Sequence, residues 1–63
     1  MNAIPAESIL RMPQVRVITG LPKSTIYANI AHGAFPKQVR LSARSVGWHA
    51  SEIFAWVAAR PKA

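Results

Sequence analysis

The chain has 63 residues, room for one small domain, and no cysteine, which removes disulfides and thiolate metal sites. Eight Lys and Arg against two acidic residues give a formal net charge of +6, leaving no basis for paired-carboxylate catalysis or a carboxylate cation site. A hydrophobic fraction of 51% is enough for a core, and no apolar run is long enough for a membrane span, so the expected partner is a polyanion, nucleic acid before an anionic membrane surface.

In chain order, residues 1–8 read as a flexible lead with neither the basic start nor the apolar stretch of a signal peptide. Ile9-Leu10 is either a brief strand or a chain end laid on the core. Pro13 suits the first turn of a helix running to Thr19, with Val15, Ile18 and Val17 as its apolar stripe and Gly20 as its left-handed cap. Leu21 is an inward turn residue, and Pro22 opens a second helix over Lys23–His32 that turns Ile26 and Ile30 inward and ends at Gly33. Two short helices joined by Gly20-Leu21-Pro22 form a candidate helix-turn-helix. Phe35 points to the core.

Gln38–Leu41 alternates polar and apolar residues as a half-buried strand does, Ser42–Ser45 turns, and Val46–Trp48 returns. A hairpin directly after a helix-turn-helix has the layout of a wing, although the Asn-Gly or Asp-Gly signal of a tight turn is absent. The last helix spans Ala50 to Arg60, with Glu52 in its first turn, Arg60 in its last, and His49 or Ser51 as N-cap. Ile53, Trp56, Val57 and Arg60 share its inner side, Phe54 stands off that stripe as extra core or a partner contact, and Pro61 stops it. The fold class expected is mainly α with a small β-hairpin: a winged helix-turn-helix of three helices and a two-stranded wing over residues 9–60, followed by a short tail, 61–63.

Three stretches together resemble the AlpA-type phage and prophage regulators, relatives of the MerR-like and excisionase winged helix-turn-helix proteins. They are T-G-L-P-K-S-T-I-Y at Thr19–Tyr27, G-A-F-P-K-Q-V-R-L at Gly33–Leu41 and R-S-V-G-W-H-A-S-E-I-F-A-W-V at Arg44–Val57. With the Arg11-Met12-Pro13 entry, the likeness covers all but the first eight residues. It implies a small DNA-binding regulator of a mobile element, or an excisionase that bends DNA for site-specific recombination. Three positions depart from the family: Ala28, where a basic residue is common, Pro22, where Ser is common, and Phe54, where a polar residue is more usual.

In such a motif the start of the second helix enters the major groove. That makes Lys23, Ser24, Thr25 and Tyr27 candidate contacts to phosphates or base edges, and Asn29 a candidate for an adenine edge. The plainer reading is a solvated helix face, with Thr25 packing within its own helix and Asn29 an ordinary surface residue. On the hairpin, Arg40, Arg44 and Ser45 are candidates for the backbone or the minor groove, with Lys37 just before them. Arg16 faces outward from the first helix. Trp48 and Trp56 read as core. His32 and His49, seventeen positions apart, read as helix-end residues rather than metal ligands.

The reading is a non-enzymatic, sequence-specific binder of double-stranded DNA that needs no cofactor, acts in the cytoplasm (phage-encoded or nucleoid-associated) and does not engage membrane. So small a footprint calls for self-association or cooperative binding at adjacent sites, or for contact with an integrase or RNA polymerase. The alternatives are an excisionase and, from a different class, a protein-interaction module for a repressor, integrase or polymerase.

Overall fold

The computed structural model describes residues 4–63 and contains three helices and one three-stranded antiparallel sheet. The order is β1 (Ile9–Leu10), α1 (Met12–Thr19), α2 (Lys23–Ala31), β2 (Val39–Ser42), β3 (Ser45–His49) and α3 (Ala50–Ala58). The expected two-stranded hairpin is joined by a third strand, the first of the two alternatives for Ile9-Leu10. Ile9-Leu10 adds to the free edge of β3, pairing Ile9 with His49 and Leu10 with Trp48, so that β3 is central and the strand order is β1-β3-β2.

Gly47 makes that edge addition possible. A Cβ there would stand 2.5 Å from Ile9 Cγ2 and 2.9 Å from the Leu10 carbonyl oxygen. Both contacts are too close for any side chain, and the second is to backbone. Only glycine lets β1 lie this near β3.

The hairpin turn is Ala43-Arg44, because Ser42 pairs with Ser45. Tight two-residue hairpins normally need positive φ in the turn, yet no described residue other than glycine has it. The compensation is a bulge: between the pairs Arg40–Val46 and Ser42–Ser45, Leu41 has no partner. Such an extra residue adds local right-handed twist, which a turn with negative φ does not supply. This explains how the hairpin closes without Asn-Gly.

The helix ends are settled by different chemistry. Gln14 Oε1 accepts from the Arg11 N–H at 3.0 Å at the start of α1; the guanidinium has no acceptor to return the bond. Gly20 takes the left-handed conformation, φ 73°, at the end of α1. Thr19 Oγ1 ties the turn by donating to the Val15 carbonyl at 2.7 Å and accepting from the Leu21 N–H at 3.3 Å. Pro22 stands just before α2 rather than inside it. Past Ala31, the N–H of Gly33 (φ 73°) bonds the Ile30 carbonyl at 3.0 Å and that of Ala34 the Asn29 carbonyl at 2.8 Å, the pair of a Schellman cap.

Neither His49 nor Ser51 caps α3 through its side chain. The chain before β1 does so with backbone: the Ser8 carbonyl accepts from Ala50 N–H at 2.8 Å and the Ala6 carbonyl from Ser51 N–H at 2.9 Å. Of the lead expected to be loose over residues 1–8, residues 1–3 lie outside the described residues. Helix α3 ends at Ala58, two residues short of Arg60, because Pro61 disfavours helical geometry at the residue before it.

The core consists of Leu10, Val15, Ile26, Phe35, Trp48, Ala50 and Ile53. Met12, Ile18, Leu21, Tyr27, Ile30, Val46, Phe54 and Trp56 pack around it. Two expectations change here. Val17 is 84% exposed, because it falls on the face of α1 opposite Val15 and Ile18. Trp56 is half-buried and Val57 exposed, so the inner stripe of α3 is centred on Ile53. Phe54, read as extra core or a partner contact, packs against the core.

Candidate nucleic-acid interface

The two indoles determine how the α2–β2 connection lies. Trp48 Nε1 donates to the Pro36 carbonyl at 3.0 Å and Trp56 Nε1 to the Ala34 carbonyl at 2.8 Å. The Phe35 ring between those carbonyls meets Trp56 edge-on, with centroids 4.8 Å apart. Trp48 also meets Tyr27 of α2 at 6.4 Å. Helix α2 and the hairpin are thus referenced to one buried tryptophan.

On α2, helical spacing places Ile26, Ile30 and Tyr27 toward the core and Ser24 and Ala28 at the centre of the outward face. Lys23, Ser24 and Ala28 are exposed; Thr25 and Asn29 are half-buried at one flank of that face. Tyr27 is half-buried at the other flank, its ring against Trp48. Ala28, unlike a longer basic residue, leaves the middle of this face open to close approach.

On the hairpin, Arg44 is exposed in the turn, Ser45 follows half-buried, and Arg40 and Lys37 are exposed. The Arg40 guanidinium bends back to donate to the Ala43 carbonyl at 3.3 Å and so supports the turn that presents Arg44. Arg16 is exposed on α1. Arg60 is committed elsewhere, stacked 4.1 Å from the Trp56 ring centroid with its Nε on the Trp56 carbonyl.

Arg11 received no role beyond the helix entry in the sequence reading. Its Nε donates to the Val46 carbonyl of β3 at 2.9 Å, across 35 positions of sequence. An Arg ahead of a helix carries no local signal of such a contact.

Three arginines gather at one end of β3, and at the other end the acidic Glu52 shares a surface recess with Arg60. The strand's five residues span about 14 Å. At its start stand Arg44, Arg40 opposite Val46, and Arg11 on the Val46 carbonyl. At its far end stand both acidic side chains, Glu52 in the first turn of α3 and Glu7 in the turn bonded to Ala50 and Ser51. No cluster of His, Cys, Asp or Glu among the described residues has the makings of a metal site, and no described helix is long and apolar enough to cross a membrane.

Residues 8–61 match the family model described as Prophage CP4-57 regulatory protein (AlpA). The chain is 47% identical over 57 residues to a protein of Enterobacteria phage P4 named Uncharacterized protein ORF88, covering 90% of this chain and 65% of that one. It therefore spans just under two-thirds of the length of that relative. It is 38% identical over 68 residues to the DNA-binding transcriptional activator AlpA of Escherichia coli K12, covering 98% of this chain and 97% of that one. No solved structure matches. With the family model spanning nearly the whole described fold, the chain belongs to the AlpA prophage regulatory protein family.

Proposed function

We propose that this protein is a sequence-specific DNA-binding transcriptional regulator of a phage, prophage or other mobile element, working as a winged helix-turn-helix. Helices α1 and α2 with the Gly20-Leu21-Pro22 turn form the helix-turn-helix, and the β2–β3 hairpin is the wing. The start of α2 enters the major groove, where Lys23 and Ser24 reach phosphates or base edges and Thr25 contributes from the flank. Tyr27 acts through its outer edge and Asn29 reaches the groove wall. Arg44 and Ser45 lie on the backbone or in the minor groove, with Lys37 and Arg40 in support.

The observation that carries this reading is the gathering of three arginines at the hairpin end of β3. Arg11, Arg40 and Arg44 stand at the hairpin end, while Glu7 and Glu52 belong to the α3 end, so the hairpin end is cationic and suited to a phosphate backbone. The relative in E. coli is named a DNA-binding transcriptional activator, which supports the same role.

The test is a gel shift on duplexes tiled across the gene's own neighbourhood, at two salt concentrations with competitor DNA. A discrete shift on a few tiles that survives competitor supports the reading. Uniform binding that vanishes at physiological salt rejects it.

A further inference from the structure

Arg11 stands where β1 ends and α1 begins. Strand β1 stops at Leu10, opposite Trp48, so no β1 backbone continues alongside Val46. The Arg11 Nε supplies a donor there, 2.9 Å from the Val46 carbonyl oxygen. One edge of β3 at this level is thus held by β2 and the other by a side chain.

The bond uses one of five guanidinium N–H donors. The Arg11 side chain makes no other hydrogen bond among the described residues, and the residue is exposed. Across β3, on its other edge, Arg40 pairs with Val46, and Arg44 lies in the turn two residues before Val46. Both acidic side chains belong to the opposite end of β3. An exposed guanidinium anchored through one nitrogen, at the end of β3 that carries two further arginines, suits an anion approaching from outside.

We propose that Arg11 is a DNA-contact residue, an anchored guanidinium that receives a backbone phosphate beside the one met by Arg44. This rests on the DNA-binding reading and adds α1's entry to the surface formed by α2 and the hairpin. The Val46 bond matters to binding because it pre-orients the fork, so little side-chain freedom is lost when the phosphate arrives. Lysine carries the charge but has no second nitrogen to hold the carbonyl while presenting a fork.

The experiment measures anisotropy of a labelled duplex carrying a site located by the tiling. Wild type, Arg11→Met and Arg11→Lys are compared across a salt series, with thermal melts to establish folding. Arg11→Met is expected to bind about tenfold more weakly at low salt. Its slope of log affinity against log salt should be shallower by ~0.9, the loss of one phosphate contact. Arg11→Lys is expected to keep the slope and lose a few-fold in affinity.

An unchanged slope in folded Arg11→Met overturns the proposal, whatever its affinity, because a merely structural residue releases no counterion. Should Arg11→Met not fold, Arg11→Gln, which keeps an N–H for the Val46 carbonyl but carries no charge, is compared with wild type on duplexes with single neutral methylphosphonates. One phosphate whose neutralisation weakens wild type more than the variant supports the contact, and equal penalties at every phosphate overturn it. A folded wild type that binds no tile, with Arg44→Ala also inert, overturns the functional reading and this contact with it. Binding by wild type with an Arg11-independent slope overturns this contact alone.

Discussion

Single residues divide here into those that hold the fold and those free to meet a partner. Trp48 belongs to the first group, fully buried and bonded to the Pro36 carbonyl. Trp48→Ala should cost about 3–5 kcal/mol. A domain this small has only ~3–9 kcal/mol in total, so the variant should be largely unfolded by urea titration or circular dichroism. Trp56→Phe keeps a ring against Phe35 and removes the bond to the Ala34 carbonyl. The expected loss is ~1 kcal/mol, a melting midpoint lower by about 4–8 °C. In the second group, Lys23→Ala and Arg44→Ala should each weaken DNA binding with the melting midpoint unchanged. Arg44→Ala should act almost uniformly across sequences and Lys23→Ala should relax preference at one base pair; unchanged affinity in both would refute the docking.

Among the elements, β1 depends most on a single neighbour. Gly47→Ala places a methyl group against Ile9 and the Leu10 carbonyl, and should cost about 1–3 kcal/mol as β1 is displaced. Loss of protection at the β1–β3 amides in hydrogen exchange, with α2 little affected, would identify the site of damage. How far each element was legible in the sequence follows from how local its signals are. Helices α1 and α2 were readable from Pro13, Gly20 and Gly33, because capping and helical phase are local. The hairpin was readable from alternation over Gln38–Leu41. The third strand was not decidable, since two residues have no period and the partners Ile9 and His49 lie 40 positions apart. The same distance hid the backbone cap of α3 and the Arg11–Val46 bond. Ala43-Arg44 lacked a turn signal because the adjustment was made at Leu41, inside the strand. Of the candidate contacts, Lys23, Ser24 and Arg44 came from position in the motif and are exposed, whereas Tyr27 reads as an exposed helix residue until Trp48 is seen against it.

Taken as a whole, the molecule is a slab of 38 × 33 × 16 Å with seven buried hydrophobic side chains among the described residues. Its stability is accordingly small and open to reinforcement by whatever binds the native state. A cognate duplex at a hundred times its dissociation constant should add about 2.7 kcal/mol. The melting midpoint should therefore rise in its presence, and less so as salt is increased. A midpoint indifferent to the duplex at low salt would mean that binding does not select the folded chain. If ~4–7 phosphates are met, the logarithm of the affinity should fall with that of salt at a slope of about −4 to −6.

The placement of the two tryptophans also equips the protein with optical probes. Trp48 lies against Tyr27, on the helix proposed to enter the groove, whereas Trp56 lies under the Arg60 guanidinium at the C-terminal side. Replacing Trp56 with Phe leaves Trp48 as the sole indole. Its emission would then report strain passed from α2 to the core as DNA docks, without any attached dye. A wild-type response that persists in that single-indole protein would be assigned to α2 and the hairpin, and one that disappears would be assigned to the loop and tail around Trp56.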